Sequence, residues 1–336
     1  MKDKIIGGMM GFFIGDALGV PVEFKSRKVL EENPVTDMNL EYGTHHQPLG
    51  TWSDDTSLTL CLMDSLKRGL DYDDMMKKFL SWVNESKYTA HGEVFDIGIA
   101  TKKAISNYSL GIDALACGGK GELDNGNGSL MRILPLAFYI YEKYGSEVEL
   151  NDEVMTVIHN VSSLTHAHAR SLIACGIYIS IALLLLNDLA LSLAIAQGVE
   201  RAFDYYEYHP TFFQELTHYA KLKELDKFSK MPVDQISSSG YVVHTLEAGI
   251  WCLLTTKNYQ EVVLKAVNLG DDTDTIAAVA GGLACMYYGY EEIPKEWLKV
   301  IVKRSFLEES CNSFYDALIR KQHVKSGFFE KFFGKI

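Results

Sequence analysis

Two stretches far apart in the chain place carboxylates beside hydroxyls. The first is Gly50-Thr51-Trp52-Ser53-Asp54-Asp55-Thr56-Ser57, followed by LTLCLMDSL. The second is Asn268-Leu269-Gly270-Asp271-Asp272-Thr273-Asp274-Thr275, followed by IAAVAGGLACMYYG. Both read as the start of a helix, where the dipole and unpaired N–H groups welcome one acid or hydroxyl as a cap. Capping accounts for one such residue, not for adjacent aspartates flanked by hydroxyls. The helix after the second stretch is built almost wholly of Ala, Gly and Val, which permit close backbone approach and so place it deep in the protein. Several carboxylates at the mouth of a buried helix repel one another unless something positive joins them, and neither stretch holds a Lys or Arg. Hard oxygen donors of this kind suit magnesium or manganese rather than zinc. We expect a metal site, in preference to a solvated acidic turn.

Weaker signals lie elsewhere. Gly19 and Pro21 end an N-terminal helix and leave Glu23 on a loop. Asp124-Asn125-Gly126-Asn127-Gly128-Ser129-Leu130-Met131-Arg132 is a flexible polar loop. Its N–H groups could cradle a diphosphate, although a plain turn and cap reads nearly as well. In Thr165-His166-Ala167-His168 the histidines could meet a metal or hydrogen-bond within the core, and we take the core reading for His168. Asp96, in Phe95-Asp96-Ile97-Gly98, is ambiguous by itself.

Helices must position these residues, because apolar spacing of three and four dominates and no run of βαβ units occurs. The pattern predicts helices over 3–19, 55–68, 73–85, 94–107, 129–143, 151–165, 169–186, 189–206, 211–226, 241–255, 259–268, 274–288, 294–302 and 312–322. No Pro/Gly/Ser linker divides the 336 residues, so one all-α domain over 1–323 is expected, with a tail at 324–336 (VKSGFFEKFFGKI for its final residues). The tail's phenylalanines are expected to pack back on the body rather than bind a surface. The six cysteines are scattered without a CxxC pair and read as reduced core thiols of a cytoplasmic protein. A net charge of −12 argues against general nucleic-acid binding. The apolar runs at 5–14 and 172–186 are expected to be core helices rather than an export signal or a membrane span. No heptad seam is present, and a monomer is expected.

Taken together and in this order, GDALGVPVE, SDDT, FDIG, NGNGSLMR, THAHA and GDDTDT resemble the ADP-ribosylglycohydrolase family over roughly residues 3–290. The resemblance implies a single-domain orthogonal bundle of helices around a central binuclear magnesium site, in which manganese can substitute. It implies Ser53, Asp54 and Asp55 as one ligand group and Asp272, Asp274 and Thr275 as the other. Asp271, where the family often has Gly, stands behind the ligands. Asn127, Gly128, Ser129 and His166 match positions that contact ADP-ribose, and Asp96 matches one facing the distal ribose. Glu23 matches a loop glutamate near the metals, and Asp55 and Asp272 are included with Glu23 and Asp96 as catalytic. Ser53 replaces the commoner Thr, and Arg170 stands where many members have Pro.

The implied activity is magnesium-dependent hydrolysis of the N- or O-glycosidic bond between ADP-ribose and an acceptor, on a protein or a small molecule. Glu23 or Asp96 is the general base or charge stabiliser. Two other readings are a non-catalytic ADP-ribose-binding or structural protein, and a hydrolase of related phosphorylated ribosides. Retention of every acidic ligand favours catalysis over the first.

Overall fold

The computed structural model describes the backbone of residues 1–333 and side chains through residue 320, so the expected packing of the 324–336 phenylalanines lies outside the described residues. In chain order the helices are α1 (Lys2–Gly19), α2 (Arg27–Glu32), α3 (Asp54–Leu66), α4 (Tyr72–Glu85), α5 (Ile99–Ser109), α6 (Leu134–Tyr144), α7 (Asp152–Ser163) and α8 (Ala169–Leu186). They continue with α9 (Leu191–Glu207), α10 (Pro210–Phe213), α11 (Leu225–Phe228), α12 (Val242–Leu254), α13 (Tyr259–Val267), α14 (Thr273–Tyr288), α15 (Lys295–Val300) and α16 (Arg304–Phe333). Among the described residues there is no sheet, only isolated bridges such as Gly126 to Tyr241. The all-α expectation holds.

Local chemistry sets the helix ends. Asp71, Asn151 and Asn258 each accept a hydrogen bond from a backbone N–H three residues on, capping α4, α7 and α13. Where the expected spans were wrong, the reasons are equally local. Helix 94–107 starts only at Ile99, because Asp96 is left-handed (φ +54°) and Gly98 is the N-cap. The 129–143 span breaks into a 3-10 turn, Leu130–Arg132, and α6, which carries Pro135 in its first turn, where its missing N–H costs nothing. The 211–226 span becomes α10, a 3-10 stretch at Glu215–Glu224, and α11. Its buried residues Leu216, Tyr219 and Leu222 recur every third position, which is the 3-10 period. Residues 27–32 add a short helix that the pattern did not mark, and α16 begins well before 312.

Packing centres on α1 against α14, which lie backbone to backbone. A Cβ at Gly15 would sit 2.2 Å from the Ala277 carbonyl oxygen, and one at Gly281 would sit 2.6 Å from that of Gly11. Small residues on both helices therefore permit a contact that larger ones would block. Thr273, the first residue of α14, latches the pair by donating to the Gly19 carbonyl (2.8 Å), and Tyr259 of α13 ties α1 to a third helix by donating to the Gly11 carbonyl (2.8 Å). This contact joins the first and last thirds of the chain in one core. It also sets Asp16, near the end of α1, beside the starts of α3 and α14. By length and composition α1 and α8 could cross a membrane, but both are buried in the body almost throughout, as expected of core helices. All six cysteines are free and buried.

The backbone contact makes a stability prediction. Gly15→Ala forces a methyl group into the Ala277 backbone and is expected to cost about 2–3 kcal/mol, as overpacking does. Gly249→Ala, on α12 with ordinary contacts at 3.6 Å or more, should leave stability unchanged or raise it by up to about 1 kcal/mol. Urea unfolding midpoints measure both; equal midpoints for the two variants contradict the packing account.

Candidate active site

Asp16 is the acid that organises the first aspartate pair. It is fully buried, and its carboxylate accepts from the Ser53 N–H (3.0 Å), the Thr56 N–H (3.0 Å) and the Thr56 hydroxyl (2.5 Å). Burial raises its pKa to about 6, against the pull of those donors. Ser53 is the N-cap of α3, its hydroxyl accepting from the Asp55 N–H (3.2 Å), so one residue of this stretch does cap as the simpler reading required. Asp54 and Asp55 then stand in the first turn, both buried.

The second group begins at Asp272, the residue preceding α14. Its Oδ2 accepts from Asn127 Nδ2 (2.8 Å), and Asn127 also donates to the Thr245 hydroxyl (2.9 Å). Asp274 accepts from the Thr275 N–H (2.9 Å), while the Thr275 hydroxyl donates to Asp55 Oδ1 (3.4 Å) and so joins the two stretches directly. Asp271 lies outside, exposed and left-handed (φ +60°). It exchanges backbone hydrogen bonds with the Phe24–Lys25 segment, at 2.6 and 2.8 Å. Arg27 fixes this side by donating to the carbonyls of Leu269 (2.8 Å), Val233 and Ile236.

Glu23 reaches the same place from the loop after α1. Its carboxylate lies within 4.8 Å of those of Asp272 and Asp274, and within the same distance of His45 and Asp96. Phe24 (φ +62°) and Asp96 (φ +54°) both hold left-handed backbone, which non-glycine residues adopt at a cost of roughly 1–3 kcal/mol, and such strain concentrates at functional sites. These side chains line a cavity of about 290 Å³ together with Asp54, Asp55, Thr101, Gly126, Asn127, Gly128, His166 and Thr275. Larger surface grooves lie elsewhere, one of about 720 Å³ between Leu70 and Leu115, but they lack this convergence of acids.

Electrostatics distinguish the site sharply from an ordinary acidic surface. Burial drives the Asp54, Asp55 and Asp274 pKa values well above the carboxylate range, and the neighbouring acids add to it. Burial, then Asp96 and Asp272, push Glu23 up to about 11. The ion pairs recorded at these carboxylates among the described residues involve His45 alone. Asp55 Oδ2, Asp272 Oδ1 and Asp274 Oδ2 are buried without a hydrogen-bond partner. Orphaned buried carboxylate oxygens from two chain segments, all hard donors, fit divalent magnesium or manganese.

His166 is buried at the cavity wall, its Nδ1 hydrogen-bonded to the Thr165 hydroxyl (2.8 Å). Burial and Arg132 lower its pKa to about 3, so it is neutral. A Cβ at Gly128 would lie 2.7 Å from its ring, which explains why glycine stands there. Beneath this wall Arg132 is fully buried, donating to the carbonyls of Gly128 and Val161 (3.0 Å). Ser129 is placed differently from its neighbours: its hydroxyl is buried against Ser162 (2.8 Å) rather than lining the cavity. His168 caps α8 through Nδ1 (3.3 Å from Arg170 N) instead of joining a core network. Sequence reasoning did not select Asp16, His45 or Arg132. Asp16 left a trace, as a lone carboxylate within the apolar run IIGGMMGFFIGDALG, which must find donors across the fold. His45, on a loop, left none.

The ADP-ribosylglycohydrolase family description matches residues 1–324. The chain is 30% identical over 320 residues to the ADP-ribosylarginine hydrolase Tri1 of Pseudomonas putida (strain GB-1), covering 94% of this chain and 78% of that protein. It is 27% identical over 334 residues to the ADP-ribosyl-[dinitrogen reductase] glycohydrolase of Rhodospirillum rubrum, covering 95% and 96%. A solved structure described as an ADP-ribosylglycohydrolase-related protein complex superposes with a TM-score of 0.74 at 29% identity, over 94% of this chain and 98% of that one.

The raised carboxylate pKa values have a thermodynamic consequence whose sign is fixed. A carboxyl whose folded pKa lies above its unfolded value contributes stability that is present below the unfolded pKa and lost as pH rises through the folded one. For Asp16 that window runs from about 4 to about 6, and Asp54, Asp55 and Asp274 are shifted in the same direction. Metal-free protein is therefore expected to lose stability between about pH 5 and 7.5. Magnesium should raise the melting temperature more at the higher pH, since one ion at about 100 times its Kd adds roughly 2.7 kcal/mol. Thermal melts at both pH values, with EDTA or with magnesium, measure this; no shift with magnesium or manganese at the higher pH contradicts a cation site.

Proposed function

This chain belongs to the ADP-ribosylglycohydrolase family, and from that premise we propose that it releases ADP-ribose from arginine side chains with magnesium held between its two aspartate groups. The observation that carries the reading is the set of partnerless, buried oxygens on Asp55, Asp272 and Asp274, converging from α3 and the start of α14. Magnesium, if bound there, would offset the carboxylate repulsion and supply Lewis-acid chemistry toward the hydroxyls of the distal ribose. Ser53, Asp54 and Asp55 on one side, with Asp272, Asp274 and Thr275 on the other, are the residues that would hold it.

The remaining steps belong to the protein's own side chains. Asn127 orients Asp272 by its hydrogen bond to Oδ2. Gly126 and Gly128 expose backbone along the cavity wall, where a diphosphate can lie close, and neutral His166 can donate a hydrogen bond there. A water oxygen bonds to C1″ of the ribose as the C1″–N bond breaks. The departing electron pair goes to the guanidine nitrogen, which takes a proton, giving ADP-ribose and arginine. With the repulsion of the neighbouring acids offset, the Glu23 carboxylate would accept the proton of the attacking water and pass it to the departing guanidine nitrogen. Asp96 and Asp54 face the positive charge that develops on the ribose ring.

Arginine is favoured as the acceptor by two considerations. Beside the acids assigned to magnesium, the cavity wall carries Glu23 and Asp96, whose carboxylates suit a guanidinium. The Pseudomonas relative is itself named an ADP-ribosylarginine hydrolase. Incubation with ADP-ribosyl-arginine, ADP-ribosyl-serine and ADP-ribosylated nucleic acid, with and without EDTA, tests the assignment. Release of ADP-ribose should be fastest from the arginine conjugate and abolished by EDTA. Asp55→Asn and Asp272→Asn should each lose at least about 100-fold in kcat with helical circular dichroism retained. Parent-level turnover by either variant in excess magnesium, or full activity in EDTA, defeats the proposal.

A further inference from the structure

We infer that His45 is a positioning residue for this reaction, holding the Glu23 carboxylate at the cavity through its Nε2. The inference rests on the hydrolase reading above and adds a residue to it.

The chain commits an unusual amount of local structure to this one contact. Gly43 lies so close to the loop after α1 that a Cβ there would sit 1.8 Å from the Pro21 carbonyl oxygen. The Thr44 N–H donates to that carbonyl (3.1 Å), and the Thr44 hydroxyl donates to the Glu23 carbonyl (2.6 Å). Tyr42 (φ +51°) and His46 (φ +54°) both take left-handed backbone to turn the segment, which is closed by Tyr42 N–H to Gln47 carbonyl (2.8 Å). The result lays residues 43–45 along 21–23 and brings His45 Nε2 into hydrogen-bond contact with Glu23 Oε2, and to 3.9 Å from Asp96 Oδ1. The imidazole is flanked by the rings of Phe24 (5.8 Å between centroids) and Phe95 (5.3 Å). Gln47 to Glu93 (3.0 Å) and Thr51 to His91 (2.9 Å) tie the same segment to the loop carrying Asp96. Three loops thus converge on one imidazole.

Geometry explains what the contact does. Glu23 hangs on a loop among repelling acids, and the recorded side-chain hydrogen bond to it from a basic residue is the one from His45. A carboxylate with one oxygen engaged by a ring N–H has fewer rotamers open to it, which holds it toward the cavity. His45 acts on the substrate through Glu23.

A packing role and a hydrogen-bonding role separate in three variants assayed as full-length, magnesium-loaded enzyme on ADP-ribosyl-arginine. His45→Phe keeps a ring between Phe24 and Phe95 but has no donor. His45→Gln places an amide donor near the Nε2 position, and His45→Asn is polar but too short to reach Glu23. Loss of the donor should lower kcat about 10- to 100-fold in the Phe and Asn variants with KM changed by less than about threefold, and Gln should recover to within about fivefold of the parent. Manganese affinity should be unchanged in all three. If Phe fails to fold, the Asn and Gln pair carries the comparison. Parent kcat in Phe or Asn overturns the inference, as does a Gln variant no better than Asn. A parent enzyme that releases no ADP-ribose overturns the hydrolase reading itself, and this inference with it.

Discussion

Carboxylates removed from water must be protonated, paired or bound to a cation, and this chain buries a cluster of them without supplying Lys or Arg to their ion pairs among the described residues. Protonation is one escape, and the raised pKa values of Asp54, Asp55 and Asp274 show how strongly the fold favours it in the absence of metal. Yet oxygens of Asp55, Asp272 and Asp274 are buried with no donor from the rest of the fold aimed at them. A fold that places orphaned acceptors face to face from two distant segments keeps a standing demand for positive charge. The catalytic account grows from that demand.

The rest of the architecture serves the convergence. α1 and α14 pack so closely that backbone atoms nearly touch at Gly15 and Gly281, and this intimacy brings Asp16 to the amide groups that open α3. Asp16 therefore works at one remove: it orients Ser53 and Thr56, on either side of the aspartate pair that faces the cavity. Asn127 does the same for Asp272 from a different part of the chain, and Arg27 pins the strap of carbonyls behind Asp271. Rigid supports around strained loops at Phe24 and Asp96 are how a site holds carboxylates where they repel one another.

Much of this was legible in the residues alone. The two aspartate stretches, the depth of α14 and the all-helical architecture follow from residue type and spacing, because burial of Ala and Gly and the cost of unpaired acid are local facts. The grouping of Asn127, Gly128 and His166 came from the family resemblance, not from the residues themselves, and the three do share one cavity wall. What was not legible depends on contacts across the fold. The Ser129 hydroxyl points into the core because the Ser162 hydroxyl, on α7, donates to it there. The 215–224 stretch tightened to 3-10 because its three buried side chains recur every third residue. His45 gained its place only when Gly43 met Pro21, a contact no spacing rule encodes.

The most direct measurement is a crystal structure of the protein grown with manganese, read by anomalous scattering at the metal edge. The account predicts two anomalous peaks enclosed between Asp54 and Asp55 on one side and Asp272 and Asp274 on the other. A well-ordered structure in which those carboxylates diverge, with no anomalous density between them, would contradict it.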